Sequence, residues 1–154
     1  MDLPKTGPTH ARLLAFAGDW EGAESVEPSA WGKGGPATGR TSFRGDLDGF
    51  AVIQDYVQLK DSLITFRGHG VFTVDPQTEE VLWYWFDSMG FPPDLPARGR
   101  FEGNVLTLLR VTPRGSARYV HEITANDYRY SIENKFPGDE DFKLFMRATY
   151  ARKD

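Results

Sequence analysis

Residues 67–90 read RGHGVFTVDPQTEEVLWYWFDSMG, and the fold turns on how this stretch pairs with itself. Two runs of alternating character flank DPQTEE, whose Asp, Pro and polar residues carry turn chemistry. Strand side chains point alternately to opposite faces, so only one of the pairs Trp83/Trp85 and Tyr84/Phe86 can line an interior. If Asp75 pairs with Glu80, then Phe72 stands opposite Trp83, Gly70 opposite Trp85 and Gly68 opposite Asp87. Large rings then face missing side chains, which shares the space across the pair. The expectation is an antiparallel hairpin with Trp83, Trp85 and Asp87 inside. Tyr84 and Phe86 then lie outside beside Val71, with Arg67 and His69 on the same face. A slip of one residue would invert every assignment and bring His69 inside in place of Asp87.

The same rhythm extends in both directions. Alternating runs cover Trp20 to Glu27, Gly39 to Leu47, Phe50 to Leu59, Ile64 to Val74, Val81 to Ser88, Ala97 to Glu102, Val105 to Thr112, Ala117 to Thr124, Tyr128 to Lys135 and Phe142 to Ala151. Gly, Pro, Asn and Asp break them roughly every 8–12 residues, as in DLDGF, FEGNV, TPRGS and FPGDEDF. About ten strands with short connections make an antiparallel meander, and closure into a barrel removes its exposed edges. One helix precedes them: PTHARLLAFAGDW offers Thr9 as N-cap, then Leu13, Leu14 and Phe16, with Gly18 as the stop. The expected fold is all-β, an antiparallel lipocalin-like barrel with a short N-terminal helix, forming a single domain over residues 1–154.

Two segments interrupt the pattern. PSAWGKGGPATG lacks the spacing of a phosphate loop and reads as a flexible connection. MGFPPDLPARG holds Pro92, Pro93 and Pro96 and reads as a stiff, extended connection that could cap a barrel mouth.

Composition narrows the function. The net charge is −4, with no basic stretch to hold nucleic acid. There is no cysteine, hence no disulfide, thiol catalysis or Cys-ligated zinc. The three histidines show no metal-ligand spacing, and no metal or other cofactor is expected. No apolar run approaches the roughly 18 residues of a membrane span, and MDLPKTGPTH has none of the regions of a signal peptide. The expected location is the cytoplasm.

LAFAGDWEG, GGPATGR, QDYVQ, FRGHGVFTVDPQT, LWYWFDSMG, PARGRFEG and IENKF occur in order along most of the chain. In these pieces the sequence resembles a bacterial family of uncharacterised proteins, the domain of unknown function 1579. Gly18-Asp19-Trp20 also resembles the Gly-x-Trp start of calycin barrels. The resemblance implies a lipocalin-like barrel and no particular activity. The heme-binding nitrobindins have a longer Gly-x-Trp-x-Gly-x-Gly start. Here Trp20-Glu21-Gly22-Ala23-Glu24 has Glu24 in place of the last Gly, a departure that speaks against heme.

The remaining strands supply the interior of the expected barrel. Tyr119, His121 and Ile123 alternate against Arg118 and Glu122, and Tyr128, Tyr130 and Ile132 against Arg129, Ser131 and Glu133. Phe142, Leu144, Met146 and Ala148 alternate against Lys143 and Arg147, and Phe50, Val52, Gln54 and Tyr56 form the inner set of their strand. The reading is a barrel that binds a small apolar or aromatic molecule. Trp83, Trp85, Phe72, Tyr119, Tyr130 and Met146 would give the site its shape, with Gln54, Tyr56, Asp87 and His121 as polar fixings. A second reading is a cofactor-free isomerase or hydrolase with His121 and Asp87 as acid and base. A third is a structural module with its interior packed shut. The alternative reading of Asp87 is a strand-end or turn carboxylate paired with an arginine such as Arg98. The outer Tyr84/Phe86 face is too apolar to stay wet without reason, so a homodimer through it is expected unless the helix covers it.

Overall fold

The computed structural model describes residues 2–93 and 95–153. Ten strands follow in order: β1 Gly18–Val26, β2 Gly35–Asp46, β3 Ala51–Lys60, β4 Leu63–Val74, β5 Val81–Asp87, β6 Ala97–Glu102, β7 Val105–Thr112, β8 Gly115–Ile123, β9 Asp127–Lys135 and β10 Lys143–Lys153. Each pairs antiparallel with its neighbour in sequence, and β1 also pairs with β10, so the meander closes into a barrel. The hairpin β4–β5 has the pairing expected from its glycines: Phe72 with Trp83, Gly70 with Trp85 and Gly68 with Asp87. The indole ring of Trp85 occupies the space over Gly68, where a Cβ would stand 2.2 Å from Cζ2. A side chain at Gly68 is thus incompatible with this register, which is why it is the one the strands adopt.

One end of the barrel is plugged. Helix α1, Pro8–Leu13, continues into a 3-10 turn at Leu14–Phe16. The N-cap is Gly7 rather than Thr9, because Pro8 takes the first helical position, where its missing N–H costs nothing. Leu13 and Phe16 reach into the barrel and are each 1% exposed. Phe16 lies against Phe43, Phe72, His121 and Tyr128. Below it Trp20 donates its indole N–H to the Phe16 carbonyl at 2.9 Å, and the Arg152 guanidinium covers the Trp20 ring at 4.2 Å. Burying rings of this size is worth roughly 1.5–3 kcal/mol each, so the plug is part of the core.

Three expectations are corrected. The Gly-rich segment is less of a loop than its composition suggests: β2 begins at Gly35, because residues 35–38 pair with Ala23–Val26 of β1. Phe50 does not face in. It follows the turn at Leu47–Gly49 and is exposed. On β10 a bulge between Leu144 and Met146 shifts the alternation, so Phe145 packs against the core, while Phe142 meets the Arg118 guanidinium at 4.3 Å. One wall of the barrel is thin. β5 and β6 share three residue pairs, Val81 to Trp83 against Gly99 to Ala97, and the rest of β5 has no partner in β6.

Candidate functional site

The interior divides along the barrel axis. In the plugged half Phe16, Trp20, Phe72, Tyr128, Leu106, Leu108 and Val81 are all at most 1% exposed. In the other half Tyr56, Trp85, Asp87, Tyr119 and Tyr130 point inward yet are only half-buried. Solvent therefore reaches inward-facing aromatic surface at the open end. The rings form one connected set. Phe72 stacks on Trp83 at 5.4 Å, and Trp83 meets Trp85 at 5.3 Å and Tyr119 at 4.9 Å. Trp85 meets Tyr56 at 6.1 Å, and Tyr130 lies 4.6 Å from His121. These are offset and edge-on contacts of the kind aromatic pairs prefer. Met146 is buried and belongs to the same core.

His121 is fully buried in a box of rings from Phe16, Phe72, Trp83, Tyr128 and Tyr130. Its Nδ1 lies 2.7 Å from the Tyr128 hydroxyl. If Tyr128 donates, only the Nε2–H remains without a partner. With the opposite tautomer the phenolic hydrogen would be stranded as well, so the first arrangement is favoured. Burial drives the imidazole pKa down to about 3, and the ring is neutral. Asp87 accepts from the Trp85 indole N–H at 2.9 Å and from the backbone N–H of Met89 at 3.0 Å. The structure gives these two residues separate partners: His121 is bound to Tyr128 in the plugged half, Asp87 to Trp85 at the mouth. Arg98 is not the partner of Asp87. It reaches Asp75 at 2.8 Å and Glu80 at 3.4 Å, at the other end of β5.

Gln54 donates to Thr41 Oγ1 at 3.2 Å. Its Oε1 and the Trp83 indole N–H are buried without a hydrogen-bond partner. Both crowd the space over Gly70, where a Cβ would stand 2.4 and 2.5 Å from them.

The polar centre of the barrel is a residue that sequence reasoning passed over. Glu24, on β1, is 2% exposed and takes part in no ion pair among the described residues. Tyr56 donates to its two oxygens at 2.8 and 2.7 Å, Gln58 donates at 2.8 Å, and the Tyr150 hydroxyl donates to Oε2. The carboxylate oxygens accept from every one of these neighbours. Burial, followed by the nearby Glu24 charge, raises the pKa of Tyr56, Tyr128 and Tyr150 above the ordinary phenol value. Gly39 makes room for the carboxylate, since a Cβ there would stand 2.1 Å from Oε2. The signal was present in the sequence: Trp20 faces in, and two steps of period two reach Glu24.

Other charges lie nearer the mouth or outside. Arg110 places its guanidinium 5.8 Å from the Tyr119 ring centroid. Tyr84 and Phe86 are 37% and 44% exposed on the outer wall, and His69 bonds Asp55 there at 2.7 Å. Among the described residues no cluster of His, Cys, Asp and Glu is arranged to hold a metal ion, and no helix is long and apolar enough to cross a membrane.

A family model described as "Protein of unknown function (DUF1579)" matches residues 5–152. No protein with a curated description matches the chain in sequence. Among solved structures the fold is similar to that of Rv2717c from M. tuberculosis, with a TM-score of 0.73 at 14% identity over 97% of this chain and 100% of that one. It is also similar to the S-type phycobiliprotein lyase CPES from Guillardia theta, with a TM-score of 0.64 at 10% identity over 91% and 89% of the two chains. At such identities the likeness is one of fold.

Proposed function

The chain belongs to the DUF1579 family and carries its ten strands as a closed lipocalin-like barrel, and from that premise we propose that it binds a small apolar or aromatic molecule in the open half of the interior. One observation carries the reading: Tyr56, Trp85, Tyr119 and Tyr130 point inward yet keep part of their surface exposed, although comparable rings in the plugged half are completely covered. Aromatic surface left partly exposed inside a barrel mouth gains from an apolar guest that covers it. Trp83, Phe72 and Met146 form the floor, Asp87 supplies a polar group at the mouth, and Gln54 and His121 lie buried behind the rings. The phycobiliprotein lyase shares the barrel and supports a ligand-handling role for this architecture. Titration with the neutral fluorophore N-phenyl-1-naphthylamine tests the proposal. Its emission should rise while tryptophan emission falls, and Trp85→Ala should weaken both changes. Absence of either change would leave a barrel packed for structure alone.

We further propose that two copies meet through the Tyr84/Phe86 face, beside Val71, and that the protein works in the cytoplasm, where a chain without cysteine loses nothing to reducing conditions. Helix α1 is committed to the barrel end and leaves Tyr84 and Phe86 exposed. Sedimentation equilibrium at micromolar concentration decides the first point: a mass of 17.4 kDa would exclude the dimer.

A further inference from the structure

Glu24 is a buried carboxylate whose hydrogen-bond partners are all neutral: Tyr56, Gln58 and Tyr150. A buried charge without a counter-charge is among the costliest features a core can carry. Its partners must also turn their hydrogens toward it. The Tyr56 hydroxyl hydrogen is committed to the carboxylate, and the Gln58 amide must present its NH2 group there, since its oxygen would be repelled. Both side chains are half-buried and border the open half. What they offer a guest is mainly acceptors, the Tyr56 phenolic oxygen and Gln58 Oε1, beside the second N–H of the Gln58 amide. The ring faces of Tyr56 and Trp85, 6.1 Å apart, stand beside these acceptors.

Resting on the binding function proposed above, we infer that the ligand carries a protonated amine on its apolar or aromatic body. The ammonium donates to Tyr56 Oη and Gln58 Oε1, its charge is balanced by Glu24 behind them, and the rings of Tyr56 and Trp85 provide cation–π contacts. Asp87 adds a second carboxylate at the mouth, on Trp85. Arg110, the guanidinium facing in from β7, lies over Tyr119 on the β8 side, and an anionic guest would have to seek it there. A carboxylate placed at Tyr56 would face Glu24, with like charge against like.

Three matched compounds test the inference at pH 7 by displacement of N-phenyl-1-naphthylamine: 4-phenylbutylamine, 4-phenylbutan-1-ol and 4-phenylbutyrate. The amine should bind about tenfold or more tighter than the alcohol, the sum of a charge-assisted hydrogen bond and a cation–π contact. The acid should bind weakest. Tyr56→Phe should remove most of the amine's advantage while the fluorophore still binds, and Glu24→Gln should do the same where it folds. Equal affinities for the three compounds, a preference for the acid, or an amine preference that survives Tyr56→Phe would overturn the charge assignment and leave apolar binding standing. Failure of the fluorophore itself to bind would remove both.

Discussion

The two halves of this barrel are built from the same strands and differ in what faces inward. Toward the plug, the rings of Phe16, Trp20, Phe43, Phe72 and Tyr128 close on one another with α1 as a stopper. Toward the mouth, Trp85, Tyr119 and Tyr130 share space with Asp87 and Arg110, and water reaches them. Strand geometry is indifferent to the choice. What separates the halves is whether a covering element exists, and here only one end receives the helix. Stability should therefore concentrate at the plug and tolerance to change at the mouth.

The largest effect expected of this contrast is on unfolding. Phe16→Ala should cost about 3–5 kcal/mol, the range for deleting a buried phenyl ring, whereas Trp85→Ala should cost about 1–2 kcal/mol, because part of its surface is already exposed. Chemical denaturation measures both, and comparable losses would break the division. Gly39→Ala should come next, at about 1–3 kcal/mol, because the new methyl group drives Glu24 off its partners. Its thermal midpoint should fall well below that of Gly32→Ala, where nothing stands within 4 Å of the added Cβ. The pH dependence sharpens the picture of the plugged half. His121 binds a proton in the unfolded chain below its ordinary pKa of about 6.5, but in the fold only near pH 3. The unfolded state thus binds more protons between these values, and stability falls with acidification across that window by up to about 1.4 kcal/mol per pH unit. Denaturation midpoints at pH 7, 6, 5 and 4 should fall less steeply in His121→Gln. The smallest change in stability should come from Phe86→Glu on the outer wall, which should halve the mass of any dimer and leave the denaturation curve unmoved. If it unfolds the barrel instead, the outer face is carrying core packing.

The hairpin register was legible because its constraint is local and steric: with Gly70 opposite Trp85, Gly68 opposite Asp87 and Phe72 opposite Trp83, the large rings find room. The inward-facing residues of β8 and β9 followed from the same alternation, since Tyr119, His121 and Tyr130 share the period of their strands. The bulge at Leu144 was not legible, because a single inserted residue leaves no mark on composition. Glu24 was missed for a different reason. A glutamate in a strand reads as a solvent-facing residue, and only the meeting of β1 with β3 and β10 reveals the partners that permit its burial. Tyr150 comes from the far end of the chain, 126 positions away. Such a cluster exists only after closure, so no short window of sequence can announce it.

The three-pair seam between β5 and β6 has a consequence for how the protein resists self-association. A closed barrel that opens locally should part where the fewest ladder bonds hold it, and the product is an open sheet with β5 as one of its new edges. That edge would be Val-Leu-Trp-Tyr-Trp-Phe, an uncharged, β-prone hexapeptide of the kind that templates intermolecular sheets. It ends in Asp87, and Pro92, Pro93 and Pro96 follow before β6 begins. These three residues cannot donate to a growing ladder. The stiff segment thus acts as a gatekeeper: replacing its prolines should leave the native barrel unchanged and speed aggregation in mild denaturant, which light scattering would follow.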